Sequence, residues 1–236
     1  MLFRSAHHLR GSDRHQCVQQ ENRVRTARHR NNYGIAGAKH VITGNRLPDS
    51  IHAISIMTHE ILERARSIRM LLMDVDGVLT DGRLLNIVGP DHFVAETKAF
   101  DSQDGIALQW LSWYNIATGV ISGRVSPATE ARARQVSMKY VYQGHIEKIP
   151  ILEEIIAESG ISAEHIAYMG DDLTDVVVMK RIGLAVAPAN ARPEVKRYAH
   201  YTTQASGGAG AVRELCELIL QAQGYWPELL RKYEVS

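Results

Sequence analysis

The sequence predicts an α/β fold, a doubly wound parallel sheet with helices on both faces, and three observations carry that reading. Short apolar runs rich in β-formers recur from residue 68 onward, each bounded by Gly, Asp or Ser. Strands buried on both faces read as such continuous runs rather than as alternating ones. Helical patterns lie between them, and strand alternating with helix builds βαβ units. Finally, several of the runs end in carboxylates, a hydroxyl or a cation, and the carboxyl edge of an open α/β sheet is where ligands bind.

Residues 1–56 hold nine Lys and Arg against three Asp and Glu, are rich in His, Asn and Gln, and show no sustained period. Such a segment buries too little apolar surface to offset its ordering entropy, so a disordered basic extension is expected there. Upstream sequence read from an early start explains it, with Met57 opening the body; an organelle-targeting peptide is the sharper alternative. The body, 57–236, is expected to be one domain with a C-terminal helical tail.

The first strand is Ile68–Val75. Arg83–Val88 and His92–Phe100 are extended runs around Gly89-Pro90 and predict a β-hairpin projecting from the first loop. Helix Gln103–Tyr114, strand Ile116–Ser122, helix Pro127–Val136, strand Lys139–Gly144 and helix Glu147–Glu158 follow in order. Strand His165–Gly170, helix Leu173–Ile182, strand Gly183–Ala187 and helix Ala211–Gln223 complete the body. The gaps between strand ends leave no room for a helical cap domain.

Composition excludes several classes. The body carries eighteen basic against twenty-three acidic residues, so a nucleic-acid partner would rest on the head alone and is not expected. No apolar stretch approaches bilayer length, and no membrane partner is expected. Cys17 and Cys216 offer neither metal spacing nor a disulfide framework, which fits a reducing cytoplasm. Trp110, Trp113 and Tyr114, at i, i+3 and i+4, read as a packed helix face. Arg132 and Arg134 read as a solvated one.

The strongest feature is Asp74-Val75-Asp76-Gly77-Val78-Leu79-Thr80-Asp81-Gly82, directly after an apolar strand. Gly77 lets the chain turn there, bringing both carboxylates round one site. Ser122-Gly123-Arg124 ends a second strand, Lys148 opens the helix after Tyr142-Gln143-Gly144, and Gly170-Asp171-Asp172 ends a further strand with Asp175 one turn on. This set suits phosphoryl transfer. A hard divalent cation held by a few carboxylates, here Asp74 and Asp171, with water and phosphate oxygens completing its shell, describes Mg²⁺. Lys148 adds positive charge, while Ser122 and backbone N–H groups of Val75–Gly77 can donate to phosphoryl oxygens. Asp76 can protonate the leaving alcohol and later take a proton from water.

In order and spacing these segments resemble the haloacid dehalogenase superfamily, over Ile68 to about Gln223. The resemblance implies Asp74 as nucleophile, Asp76 as acid/base and as a metal ligand through its backbone carbonyl, Ser122 and Lys148 as phosphate ligands, and Asp171 as a metal ligand. Asp172 and Asp175 would orient the metal shell. An Asp two residues after the nucleophile is the phosphatase and mutase pattern, where the ATPases carry Thr. Within the superfamily the chain is similar to the cap-less phosphatases of sugar-acid phosphates, through the Asp74–Gly82 motif, Glu96–Phe100, Asp104-Gly105 and Gly207–Glu214. That implies a homotetramer in which the hairpin packs on a neighbouring subunit, and Lys98 and Arg124 as grips on the substrate's carboxylate or hydroxyls. For Lys98 a solvated edge-strand lysine is the competing expectation. One departure bears on the sugar: where many members have Arg in the tail motif, this chain has Ala209. A nine-carbon sugar-acid phosphate, or an inactive interaction module with the same fold, are the alternative expectations.

Overall fold

The computed structural model describes residues 59–92 and 94–235; the expected basic head lies outside them. A helix over 59–66 (α1) leads into β1, Met70–Met73, whose four residues are all buried. The further strands are β2 Leu85–Val88, β3 Val94–Thr97, β4 Ala117–Ser122, β5 Tyr140–Gln143, β6 Ile166–Met169, β7 Leu184–Ala187 and β8 Tyr201–Thr202. The helices are α2 Ser102–Trp113, α3 Pro127–Gln135, α4 Lys148–Ser159, α5 Leu173–Met179, α6 Pro193–Lys196, α7 Ala211–Ala222 and α8 Trp226–Lys232.

Six strands form one parallel sheet in the order β5-β4-β1-β6-β7-β8. The chain leaves β1 toward β4 on one side and later returns to β6 on the other, so β1 marks the point where the winding reverses. A crevice opens there, outside the carboxyl ends of the strands. Register places Met73 beside both Val120 and Met169, so β1 and β6 end level while β4 runs two residues further, to Ser122. The pleat sends Leu71 and Met73 into one apolar cluster with α2 and α7, and Met70 and Leu72 into another with α4 and α5. Each of these side chains is fully buried, worth about 1.5–3 kcal/mol apiece.

Between β1 and β4 the described residues form the hairpin and α2. The hairpin forms as the sequence predicts, with Leu85 opposite Thr97 and Val88 opposite Val94, and β2 is exposed along its whole length. Elements α1, α6, α8 and β8 were not anticipated; β8 has two residues, too few to show a period. Helix α7 starts at Gly210, which has no side chain to cap it. Asp104, on α2, does so instead: its Oδ1 accepts from Arg213 N–H at 2.7 Å, and burial pushes its carboxyl up to about 6.

Two expectations need correcting. Arg132 is half-buried rather than on an open face: its guanidinium donates to the Asp101 carbonyl at 2.7 Å and lies over the Phe100 ring, because the side chain reaches the bare Cα of Gly105. Trp113 is exposed while Trp110 is buried, so the aromatic triplet does not form one packed face. Among the described residues no helix is long and apolar enough to cross a membrane.

Candidate active site

Asp74 follows β1 immediately, and its N–H continues the ladder to the Met169 carbonyl at 3.0 Å. The chain then winds over itself, with the Val75 carbonyl accepting from the N–H groups of Val78, Leu79 and Thr80. Gly77 sits in the left-handed region at φ 90°, and a Cβ there would overlap Asp171 Oδ2, so this turn needs a glycine twice over. The N–H groups of Asp76 and Gly77 and the Asp76 carbonyl have no hydrogen-bond partner among the described residues.

Around this turn the sheet edge gathers a cleft of about 320 Å³ lined by Asp74, Asp76, Ser122, Arg124, Lys148, Asp171 and Asp172, with Gly82, Gly123, Ile146 and Thr174. All the strand-end residues singled out in the sequence line it except Asp175, which lies beneath. Lys148, at the start of α4, is 1% exposed and sits 3.2 Å from Asp74 Oδ2. Ser122 is buried at the end of β4, and its Oγ accepts from Arg124 N–H at 3.2 Å, leaving its own proton to donate. Asp172 is exposed at the mouth and caps α5, accepting from Leu173 N–H at 2.7 Å.

Asp175 is wholly buried and its oxygens are fully engaged. Oδ1 accepts from Lys148 Nζ at 2.6 Å and from the Tyr168 hydroxyl at 2.7 Å; Oδ2 accepts from the N–H groups of Asp171 and Asp172 at 2.9 and 3.1 Å. It therefore orients both the ammonium and the Asp171 loop. Tyr168, missed in the sequence, also bonds Lys148, at 3.1 Å. Burial beside Asp175 holds its hydroxyl well above the usual tyrosine range, so it stays a donor. A tyrosine in an otherwise aliphatic buried strand was the available signal, since a buried hydroxyl needs a partner.

Lys98, just past β3, is not a solvated lysine. Its side chain is 2% exposed, its Nζ donates to Asp76 Oδ1, and Glu96 lies at 3.3 Å. Arg124 pairs with Glu96 and reaches within 3.7 Å of Asp76 Oδ2, and its guanidinium holds the Glu96 carboxyl below its ordinary value. The hairpin's return strand therefore brings Lys98 to the second carboxylate, and its Glu96 holds Arg124, from the loop after β4, beside the same group. In the sequence Glu96 is only part of a motif; its partners are set by the fold.

Carboxylate oxygens of Asp74, Asp171 and Asp175 lie within 4.8 Å of one another. With Asp175 committed elsewhere, Asp74 and Asp171 remain, and Asp171 Oδ1 is buried without a partner. Such an orphaned oxygen beside a second carboxylate and a free backbone carbonyl suits a divalent cation. Burial, then repulsion from Asp175, pushes Asp74 up to about 6; burial, Asp175 and Asp74 push Asp171 up to about 7. Both folded values exceed the ordinary one, so the stability these groups contribute is complete below about pH 4 and is lost as pH rises through 6 and 7. The metal-free protein is expected to melt at lower temperature at about pH 8 than at about pH 5, and a divalent cation to raise the melting point more at the higher pH. Melts in chelator and in excess cation check this. An equal cation increment at both pH values would contradict it.

A model of the haloacid dehalogenase-like hydrolases matches residues 126–215. A 3-deoxy-D-manno-octulosonate 8-phosphate phosphatase of Yersinia pestis is 40% identical over 164 residues, 70% of this chain and 86% of the relative. A crystal structure of a probable yrbi family phosphatase from Pseudomonas syringae pv. phaseolica superposes with TM-score 0.71 at 40% identity, over 74% of this chain and 97% of that one. The Moraxella catarrhalis 3-deoxy-D-manno-octulosonate 8-phosphate phosphatase, in complex with magnesium ion, phosphate ion and KDO, superposes with TM-score 0.70 at 36% identity, over 74% and 98% of the two chains.

Proposed function

The chain belongs to the 3-deoxy-D-manno-octulosonate 8-phosphate phosphatase family of haloacid dehalogenase-like hydrolases, and we propose that it hydrolyses that sugar-acid phosphate to the free sugar acid and phosphate, a step in lipopolysaccharide precursor synthesis. The observation that carries the reading is Asp74 beside the buried Lys148 ammonium, facing Asp171, on the floor of one cleft.

An oxygen of Asp74 attacks phosphorus, and the bond from phosphorus to the sugar oxygen breaks. Asp76 gives the departing oxygen a proton. Lys148, Ser122 and the N–H groups of Asp76 and Gly77 are placed to receive the phosphoryl oxygens. Asp76 then takes a proton from water, whose oxygen attacks phosphorus and releases Asp74. Mg²⁺, held by Asp74, Asp171 and the Asp76 carbonyl, would supply charge neutralisation between an attacking carboxylate and an anionic phosphate. Asp172 and Asp175 orient that carboxylate set through the Asp171 loop. Arg124 and Lys98, paired with Glu96 and Asp76 in this structure, are the cations available to the sugar's carboxylate.

Phosphate release from a panel of eight- and nine-carbon sugar-acid phosphates, with and without Mg²⁺, tests the reading. Preference for a nine-carbon substrate would move the assignment to the alternative that Ala209 raises. Activity is expected to vanish in excess chelator and to fall at least about tenfold when Ca²⁺ replaces Mg²⁺, because the larger ion takes more ligands and can draw in both Asp74 oxygens. Full activity in chelator would rule this out.

We further place the enzyme in a homotetramer in the cytoplasm, where the buried free thiol of Cys216 would remain reduced. Ile87 and Val88 on the hairpin are 60% and 67% exposed, and a two-stranded hairpin is marginally stable without a surface to pack on. Ile146, which lines the cleft, and Val125 and Leu173, each next in sequence to a lining residue, are exposed, and a neighbour's hairpin would cover them. Replacing Ile87 and Val88 by Glu is expected to dissociate the assembly and raise KM together. Light scattering that shows a fully active monomer in the unaltered protein would sink the proposal. Residues 1–56 are taken as dispensable, so a chain beginning at Met57 should keep its activity.

A further inference from the structure

The catalytic turn is also held from behind. Asn190 lies in the loop that leaves β7, at the same edge of the sheet. Its Nδ2 donates to the Gly77 carbonyl at 2.9 Å, and its Oδ1 accepts from Gly207 N–H at 2.6 Å. The Asn190 loop is itself tied down on both sides. Arg192 N–H donates to the Asp171 carbonyl and Ala189 N–H to the Ala205 carbonyl, each at 3.0 Å. Gly208 N–H donates to the Val78 carbonyl at 3.0 Å, and a Cβ on Gly207 would overlap the Gly77 carbonyl, so the tail segment lies directly against the turn.

Gly77 is the soft point of that turn. Glycine at positive φ lets the peptides on either side of it swing, and the tie within the turn, Val78 N–H to the Val75 carbonyl, is long at 3.3 Å. The groups that must stay aimed lie next along the chain: the Asp76 carbonyl and the Gly77 N–H share the peptide just before Gly77, and the Asp76 N–H lies one peptide further back. We propose that Asn190 is a positioning residue for phosphoryl transfer, clamping the Gly77 peptide so that the neighbouring N–H groups point at the phosphoryl oxygens. The clamp touches neither substrate nor metal. It joins three loops, from β1, β6 and the tail, into one support.

This rests on the reading of Asp74 as nucleophile, and the test separates the two. Asn190→Asp keeps an acceptor for Gly207 N–H and loses the donor to Gly77; Asn190→Leu loses both at similar volume. Misplacement of a preorganised group by about 1 Å costs about 100-fold. Both variants are expected to lower kcat about 10- to 100-fold while KM, set by the sugar grips, moves less than about threefold. Beryllium fluoride, a phosphoryl mimic, should occupy Asp74 only at about tenfold higher concentration by ¹⁹F NMR, with the melting point of Asn190→Asp within about 3 °C of the unaltered protein. Amide exchange of the segment 74–80 should be faster in both variants. Wild-type kcat, fluoride binding and exchange in Asn190→Asp would overturn the clamp, as would a kcat loss that only tracks the loss of folded protein. If the unaltered protein binds no beryllium fluoride, the nucleophile reading fails instead, and exchange at 74–80 alone decides the clamp.

Discussion

Asp74→Asn is expected to lower turnover by at least about 10,000-fold, the scale on which removing a nucleophile acts, without loss of fold. An amide has no anionic oxygen to attack phosphorus, so neither the covalent step nor the beryllium fluoride adduct should form. The substitution should also be gentle on the metal-free protein, and its sign follows from the site. Asp74 is buried near Asp175, and its carboxyl is pushed up to about 6, so at about pH 8 its ionised form counts against the folded state. Replacing it by a neutral amide removes that penalty, while Lys148 keeps Asp175 and Tyr168 as partners. The melting temperature in chelator at about pH 8 should therefore equal or exceed that of the unaltered protein. Turnover within about tenfold of wild type would remove Asp74 as nucleophile. A melting point lowered by more than about 5 °C would show that the carboxylate supports the fold rather than opposing it.

How much of this was legible in the chain depended on what kind of fact each part is. The strands and most helices were readable because runs such as Met70–Met73 are buried on both faces and need no partner's identity to declare themselves. Asp74, Ser122 and Asp171 could be found because a parallel sheet brings successive strand ends to one edge, so position along the chain predicts position in space. What the chain did not disclose depends on contacts across it. The resemblance implied that Asp175 orients the metal shell but not which groups hold it: a lysine 27 residues away and a tyrosine 7 away take its Oδ1. Asn190, in Ala187-Pro188-Ala189-Asn190, reads as an ordinary turn former, and only the return of the tail past Gly77 gives its amide a task. Arg132 was misread for the same reason: the space that admits its side chain is the missing Cβ of Gly105.

Asp175→Ala is expected to lower the melting point by about 6–12 °C. Four donors converge on that carboxylate, two of them backbone N–H groups of the Asp171 loop and one a buried ammonium. Removing one partner of a buried ion pair leaves the other charge uncompensated and costs about 3–5 kcal/mol. In a domain of this size each kcal/mol is worth about 2–4 °C. Asp74, 3.2 Å from Lys148, remains as a second anion and should hold the loss toward the lower end of that range. This rescue has its own consequence. Freed from Asp175, the ammonium is drawn onto Asp74 and engages the oxygen that must attack phosphorus, so kcat should fall as well in the fraction that stays folded. Two comparisons isolate the cause. Tyr168→Phe removes one neutral hydroxyl from the same cluster and should cost only about 1 kcal/mol. Adding Lys148→Met to Asp175→Ala removes the stranded charge and should recover part of the lost stability, although turnover will not return. A double variant less stable than Asp175→Ala alone would mean that the ammonium is not the group left in distress, and that the backbone N–H groups of the Asp171 loop carry the cost.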